Sequence, residues 1–367
     1  MLDKNFGLFL TRGLSLEKWQ KIGSLTREIK LYRALAGYFN QLYIFSYGCF
    51  DTQFHNLFPP NVIIIDRPKY LPVFLYSWLL PFWHFKILRT INFYKTNQMD
   101  GSWSAVIAKI FNPQAKLIIR CGYEWLWFII KNKKWLKKLV AFWVEKMAYK
   151  SADKIILTSL ADKDFVIKTF KISSNKILVI PNFVDTDIFK PLNLPKQQQV
   201  IFVGRLESQK NLINLFKAFA GLTCGLVIVG EGSQRGFLEA LALKLNLSVK
   251  FLGNLPQTEL VKVLNQSQIF ILPSYFEGNP KTLLEAMACG LACVGTNVSG
   301  INNVITDQYN GVLCETDVLS IKNTILNLLN NQTLQTSLAQ MAAETVKLNN
   351  AFGVCFNQEF DYYKNHA

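Results

Sequence analysis

Two parallel-sheet α/β domains in tandem are what this 367-residue sequence predicts. Three observations carry the reading. Short apolar runs closed by Gly or Pro recur along the chain and alternate with helix-like segments of about 10–15 residues, the rhythm of βαβ units. That rhythm restarts after a polar stretch holding two prolines, "PLNLPKQQQ" from Pro191. The charge divides at the same place: residues 1–190 hold 28 Lys/Arg against 13 Asp/Glu, whereas residues 191–367 hold 12 of each. The expected architecture is therefore two Rossmann-like domains, 1–190 and 191–348, followed by a segment 349–367 that packs back on the first.

The first domain opens with "FGLFLTRG" (Phe6–Gly13), an apolar run ending at Gly, and a helical pattern follows from Ser15 to about Tyr38. "QLYIFSYG", "NVIIIDRP", "AKLIIRCG" and "DKIILTS" repeat the form of buried parallel strands. Tyr70–Phe85, "YLPVFLYSWLLPFWHF", is uncharged over sixteen residues but contains two prolines and falls short of the ~20 that span a bilayer. A buried helix after a strand is the favoured expectation for it, with an interfacial surface as the alternative. Trp125–Lys150 carries seven lysines against one glutamate, with four tryptophans. It reads equally as an interfacial helix on anionic lipid or as an amphipathic helix with a solvated lysine face. A nucleic-acid face ranks below both, because its aromatics sit among aliphatics and do not interleave with Arg.

In the second domain "VIFVGRLESQKNLINLFKAF" gives strand, Gly turn and helix. "GLVIVGEGSQRGFLEALALKLNL" does the same, and "VKFLGNLP", "IFILPSYFEG" and "LACVGTNVSG" add further strands. Seven scattered cysteines without a C-x-x-C pair, and no leader-like opening, predict a reducing cytosol. Only three histidines are present, which argues against a His-rich metal site or a Ser-His-Asp triad.

The chemistry concentrates at two turns. "GRLESQKN" places Gly204, Arg205 and Lys210 just past the carboxyl end of a strand, where ligands bind in open α/β sheets. Arg as a fork and Lys as a point charge suit a diphosphate, although two loop cations alone would signify little. No G-x-x-x-x-G-K-[ST] occurs, and "GEGSQRG" from Gly230 has the wrong spacing for a dinucleotide fingerprint. The second turn is "YFEGNPKTLLEAMACG" (Tyr275–Gly290). Asn279 is expected as N-cap and Pro280 as first helical residue, so the N–H groups of Lys281 and Thr282 face an anion. Glu277 precedes this corner, and Glu285 follows one turn later, leaning back toward it. Carboxylates repel phosphate but accept from hydroxyls, so the pair suits a diphosphate between two polyols: a nucleoside diphosphate sugar.

"EGNPKTLLEAMACG" resembles the Glu-x7-Glu motif of the retaining glycosyltransferases of family 4, which adopt the GT-B fold of two Rossmann-like domains facing each other across a cleft. "FVGRLESQKN", "LVIVGEGSQR", "FLGNLPQTEL", "ILPSYFEG", "NGVLC" and "IPNFVDTDIFKP" are similar to that family's segments in the same order. The resemblance implies that Arg205 and Lys210 bind the donor diphosphate. It assigns Glu277 with Gly278, Asn279 and Pro280 to the sugar, Lys281 and Thr282 to the phosphates, and Glu285 to the ribose. Glu277, Arg205 and Lys210 are the expected catalytic groups, with no metal site and no cofactor beyond a UDP- or GDP-linked sugar as co-substrate. Gly13, the remnant of a glycine-rich turn, is expected near the donor phosphates. Some family members carry an acceptor-side histidine; here "TNQMDG" and "RCGYEW" leave Asn97, Asp100, Arg120, Tyr123 and Glu124 as candidates. After "ACVGTNVSG" the family often has Pro-Glu, where this chain has Asn302 and Asn303. The implied activity is hexosyl transfer to a glycan or lipid-linked acceptor in cell-surface polysaccharide or glycolipid synthesis. Cysteine usage places it in the cytoplasm, and the basic first half of the chain points to an anionic membrane surface as its peripheral partner, without nucleic acid. An epimerase or phosphorylase of the same fold, or a non-catalytic binding subunit, is the alternative.

Overall fold

Apolar runs that can be buried on both faces give parallel strands covered by helices on each side, and two such sheets form. The computed structural model describes residues 2–122 and 135–366. The chain divides into one unit of Met1–Ile180 with Phe356–Ala367 and a second of Pro181–Cys355.

Among the described residues of unit 1, seven strands form one sheet: β1 (Leu2–Phe9), β2 (Phe39–Phe45), β3 (Val62–Ile65), β4 (Phe93–Thr96), β5 (Lys116–Cys121), β6 (Lys154–Leu157) and β7 (Ile177–Val179). Their order is β3-β2-β1-β4-β5-β6-β7, every pair parallel. The helices are α1 (Leu16–Lys21), α2 (Leu25–Ala36), α3 (Val73–Trp83), α4 (Phe85–Leu88), α5 (Ser102–Phe111), α6 (Trp135–Ser151) and α7 (Leu160–Phe170). Ser15 caps α1 through Lys18 N at 3.0 Å, and the buried Asp51 adds bonds from Leu16 N (2.6 Å) and Glu17 N (3.1 Å). A helix of six residues holds because its orphan amides are met this way.

Unit 2 contains β8 (Gln199–Val203), β9 (Gly225–Val229), β10 (Val249–Gly253), β11 (Ile269–Leu272), β12 (Ala292–Thr296) and β13 (Val312–Cys314), in parallel order β10-β9-β8-β11-β12-β13. Its helices are α8 (Leu212–Phe219), α9 (Arg235–Lys244), α10 (Gln257–Gln266), α11 (Lys281–Ala288), α12 (Val318–Leu329) and α13 (Gln332–Asn349). The unit begins at Pro181, ten residues before the expected boundary. The intervening segment joins its core: Val184 N bonds Asn350 O at 2.8 Å, and Phe189 is buried.

The last helix, α14 (Phe352–Asn365), belongs to unit 1 from Phe356 onward. Tyr363 packs its ring edge-on against Phe6, Phe39 and Phe93, with centroids 5.4–5.7 Å apart. Beside it the ammonium of Lys95, in the middle of the fully buried β4, donates to Glu359.

Tyr70–Phe85 departs from the favoured expectation. Its helix, α3, buries only Tyr76, Ser77, Leu80 and Pro81, and leaves Phe74, Leu75, Trp78, Leu79, Phe82 and Trp83 exposed. No helix among the described residues is long and apolar enough to cross a membrane. Of the Trp125–Lys150 segment, residues 125–134 lie outside the described residues. In α6, Leu139, Val140, Trp143 and Met147 are exposed while Ala141, Glu145, Ala148 and Tyr149 are buried.

Candidate functional site

The winding of unit 2 creates one crevice. From β8 the chain moves outward to β9 and β10, then returns to β11 on the other side of β8. Loops leaving the carboxyl ends of β8 and β11 therefore diverge, which is where open α/β sheets bind ligands. The β8 loop brings Lys210 and the β11 loop brings Glu277, and they meet: Lys210 Nζ stands 2.5 Å from Glu277 Oε1. Ser274 Oγ donates to the same oxygen at 2.6 Å. Both charged side chains are largely covered, 12% and 9% exposed, so the pair is stronger than a solvated one.

Two hydrogen bonds tie the β8 loop to the β11 loop, and a third ties the β11 loop to the segment after β12. Tyr275 N donates to Gln209 O at 2.9 Å, Gln209 Nε2 to Phe276 O at 2.8 Å, and Glu277 N to Ser299 O at 3.1 Å. Asn211 adopts φ 54° between the 3-10 turn Ser208–Lys210 and α8, and its side chain anchors on Thr316 O. Gly300, at φ +87°, lies so close that a Cβ would fall 2.3 Å from Glu277 O. At Gly230, φ +129°, a Cβ would fall 2.0 Å from Gly204 O. Gly232 likewise would bring a Cβ to 2.4 Å from Leu206 O, so these two glycines of "GEGSQRG" let the β9 loop lie on the β8 loop.

The helix start differs by one residue from the expectation. Pro280, not Asn279, occupies the N-cap, and no described side chain caps the turn. Asn279 is engaged elsewhere: its Oδ1 accepts from Asn182 N at 2.9 Å, and its carbonyl accepts from Asn182 Nδ2 at 2.7 Å. That pins the "PNFVD" segment to the corner. Lys281 and Thr282 form the first turn, with Gly278 just before the corner, and Glu285 lies one turn on, buried to 2%. Arg205 is exposed, two residues beyond β8. The structure thus gathers Gly204, Arg205, Lys210 and the 277–285 stretch into one unit and one loop cluster.

Unit 1 has the same switch between β1 and β4. Here Arg12 Nη2 donates to Asp100 Oδ2 at 3.2 Å, its Nε stands 3.1 Å from Oδ1 as an ion-pair contact, and Arg12 N donates to Asp100 O. Burial pushes the Asp100 carboxyl up against the opposing pull of Arg12. Asn97 accepts from Tyr32 OH at 3.1 Å and donates to Thr11 Oγ1 at 3.3 Å. Gly13, φ +74°, forms the turn before α1. Arg120 points into the buried cluster, 3.7 Å from Glu359 Oε2, which fits a structural role. Tyr123 and Glu124 lie outside the described residues. Arg12, Ser274, Asp51 and the Lys95–Glu359 pair escaped the sequence reading. Only Arg12 carried a signal, its place in a strand-end turn.

Two doubly wound parallel units in tandem define the GT-B class of fold. Family models agree with it: one described as Glycosyltransferase Family 4 matches residues 30–188, and one described as Glycosyl transferases group 1 matches residues 184–345. The chain belongs to the group 1, family 4 glycosyltransferases. It is 31% identical over 218 residues to the UDP-Gal:alpha-D-GlcNAc-diphosphoundecaprenol alpha-1,3-galactosyltransferase of Escherichia coli. That match covers 54% of this chain and 56% of the enzyme, so the chain spans little more than half the length of that relative. An uncharacterised glycosyltransferase of Methanocaldococcus jannaschii is 26% identical, across 92% of this chain and 88% of the relative. Among solved structures, the Anabaena protein HepE in complex with UDP and glucose superposes with TM-score 0.78 at 17% identity, covering 99% of this chain and 100% of that one. At that identity the likeness concerns the fold.

Proposed function

We propose that the chain is a retaining glycosyltransferase that moves a hexosyl group from a UDP-linked donor to a sugar carried on a polyprenyl diphosphate, at the cytoplasmic face of a membrane. The observation that carries the proposal is the Lys210–Glu277 pair at the unit 2 switch point, beside the start of α11. The acceptor class follows that of the Escherichia coli relative, a diphosphoundecaprenol-linked sugar. The membrane location is supported by the excess of basic residues in the first half of the chain.

In this reading Arg205 and Lys210 hold the donor diphosphate, and the amide-rich start of α11 adds its positive end. Lys210 and Ser274 both donate to Glu277 Oε1, so Oε2 is the oxygen offered to a sugar hydroxyl. Glu285 serves the ribose hydroxyls. The bond from C1 to the diphosphate oxygen breaks with its electron pair moving to phosphate. The acceptor oxygen bonds C1 on the face just vacated, and its proton passes to the departing phosphate oxygen. No protein base is needed, and the two cations, rather than a metal ion, neutralise the leaving group. Losing such a preorganised donor typically lowers turnover about 10²–10³-fold.

Transfer of label from radiolabelled UDP- and GDP-sugars into solvent-extractable lipid tests the proposal, with native chain compared with Glu285→Ala. Label entering lipid from one donor and lost in the variant supports it. Release of free or isomerised sugar without an acceptor points to an epimerase, phosphate dependence points to a phosphorylase, and no turnover of any donor leaves a binding subunit.

A further inference from the structure

We infer that the outer face of α3, with the exposed apolar residues of α6 on the same side of the sheet, is a docking surface for an anionic lipid bilayer. The inference rests on the lipid-linked acceptor proposed above and says where the chain meets the lipid.

A helix covering a sheet in water normally turns charged residues outward. The outward face of α3 instead shows Phe74 (57% exposed), Phe82 (59%) and Trp83 (52%), with Leu75, Trp78 and Leu79 between them. No charged residue interrupts the sequence between Lys69 and Lys86. Scattered exposed apolar side chains are ordinary, but a contiguous aromatic and aliphatic face on one helix marks a surface that something covers.

Charge identifies the occupant. Exposed Lys69, Lys86 and Arg89 bracket the helix. From Arg67 to Gly122 the only acidic residue is Asp100, which is paired with Arg12. An apolar, Trp-bearing face edged with cations suits headgroups that are anionic over an acyl interior. A second copy of the chain fits poorly, because a two-fold contact would set the same cations against each other.

Topology extends the face and orients it. The crossovers from β3 to β4, β4 to β5 and β5 to β6 all run in one direction across the sheet, and right-handed connections then place α3, α5 and α6 on one side. Leu139, Val140, Trp143 and Met147 of α6 are exposed there, and Lys146 lies 4.8 Å from the Trp143 ring centre. The start of α3 stands at the carboxyl edge of the strands, where Val73 Cγ1 would lie 3.7 Å from a Cβ placed on Gly13. Arg12, Asn97 and Asp100 share that edge, so a bilayer on α3 presents a lipid-linked sugar beside them.

Flotation of the 367-residue chain tests the surface, with vesicles of phosphatidylcholine alone or mixed with phosphatidylglycerol. The native chain floats with the mixed vesicles. The double variant Phe74→Ser/Trp83→Ser loses about tenfold or more of this partitioning, as expected when two aromatic surfaces no longer leave water, and its transfer to a detergent-dispersed short-chain acceptor stays native. Lys86→Gln/Arg89→Gln loses the preference for anionic lipid. Brominated lipid quenches native tryptophan emission, a readout that needs no substitution. Equal flotation of Phe74→Ser/Trp83→Ser overturns the α3 surface and leaves the lipid-linked acceptor standing. Absence of both flotation and quenching, or a native dimer that the same variant dissociates, also overturns it. Flotation that persists while the native chain transfers no sugar removes the proposed function and keeps the surface.

Discussion

Removing Glu359 should expose how much the last helix depends on one buried charge. Lys95 has no exposed surface, and Glu359 is 1% exposed. Glu359 also accepts from Tyr363 OH at 2.8 Å and faces Arg120 at 3.7 Å. Burial alone would raise the Glu359 carboxyl, but Lys95 and Arg120 outweigh it and hold the group below the usual range. Burial pushes Lys95 down to about 8 against the pull of Glu359. In Glu359→Leu the ammonium of Lys95 loses its partner, and breaking a buried pair from one side costs about 3–5 kcal/mol. An independent ceiling agrees: the chain can discharge Lys95 instead, at a cost of about 5 kcal/mol at pH 7 and about 2 kcal/mol at pH 9. The deficit should therefore shrink as pH rises. Lys95→Met/Glu359→Leu should recover the part of it due to Lys95, leaving only the contacts that Arg120 and the Tyr363 hydroxyl lose. Urea denaturation of the two single variants and the double, at pH 7 and 9, measures the cycle. A single-variant cost under about 1 kcal/mol, or a deficit that grows with pH, would refute the reasoning. The native chain has its own pH signature. The folded state binds fewer protons at Glu359 than the unfolded one, so this contribution is complete above the ordinary glutamate range and is lost as pH falls through the folded value.

Further outcomes follow from single contacts. Gly300→Ala places a Cβ against Glu277 O at a left-handed backbone position, and should cost about 1–3 kcal/mol while lowering donor turnover. A native melting curve with native turnover would contradict it. Asp51→Ala removes two backbone bonds at the start of α1 and should cost about 1–2 kcal/mol, with faster hydrogen exchange at Leu16 and Glu17; unchanged exchange would count against the cap. Arg12→Met leaves the half-buried Asp100 without its cation, so the Asp100 titration, followed by NMR, should move further upward.

Most strands of the parallel sheets were legible because they are apolar runs closed by Gly or Pro, whereas β4, which holds Lys95 and Thr96 and runs into Asn97, was not. Lys210 and Glu277 were legible as strand-end groups, but their contact was not. It spans 67 residues and depends on β8 and β11 being neighbours, which local pattern does not reveal. Asn279 looked like a cap because an Asn before Pro suits one; Asn182, far away in sequence, took its side chain instead. Arg120 pairs with a carboxylate from the final helix, an encounter that nothing near either residue announces. Tyr70–Phe85 was read as buried because an all-apolar helix usually is, and hydrophobicity without periodicity cannot say which side faces water. The domain boundary slipped by ten residues because "PNFVDTDIFK" follows the last strand of unit 1 yet packs on unit 2.

The central claim is that a nucleoside diphosphate binds where Lys210 meets Glu277. Calorimetric titration of UDP into the native chain, Lys210→Ala and Asp100→Asn tests it most directly. Binding should weaken about 10–100-fold in Lys210→Ala, the loss of one charge-assisted contact, and remain native in Asp100→Asn. Unchanged affinity in Lys210→Ala, or loss of binding in Asp100→Asn, would place the nucleotide elsewhere and contradict the account.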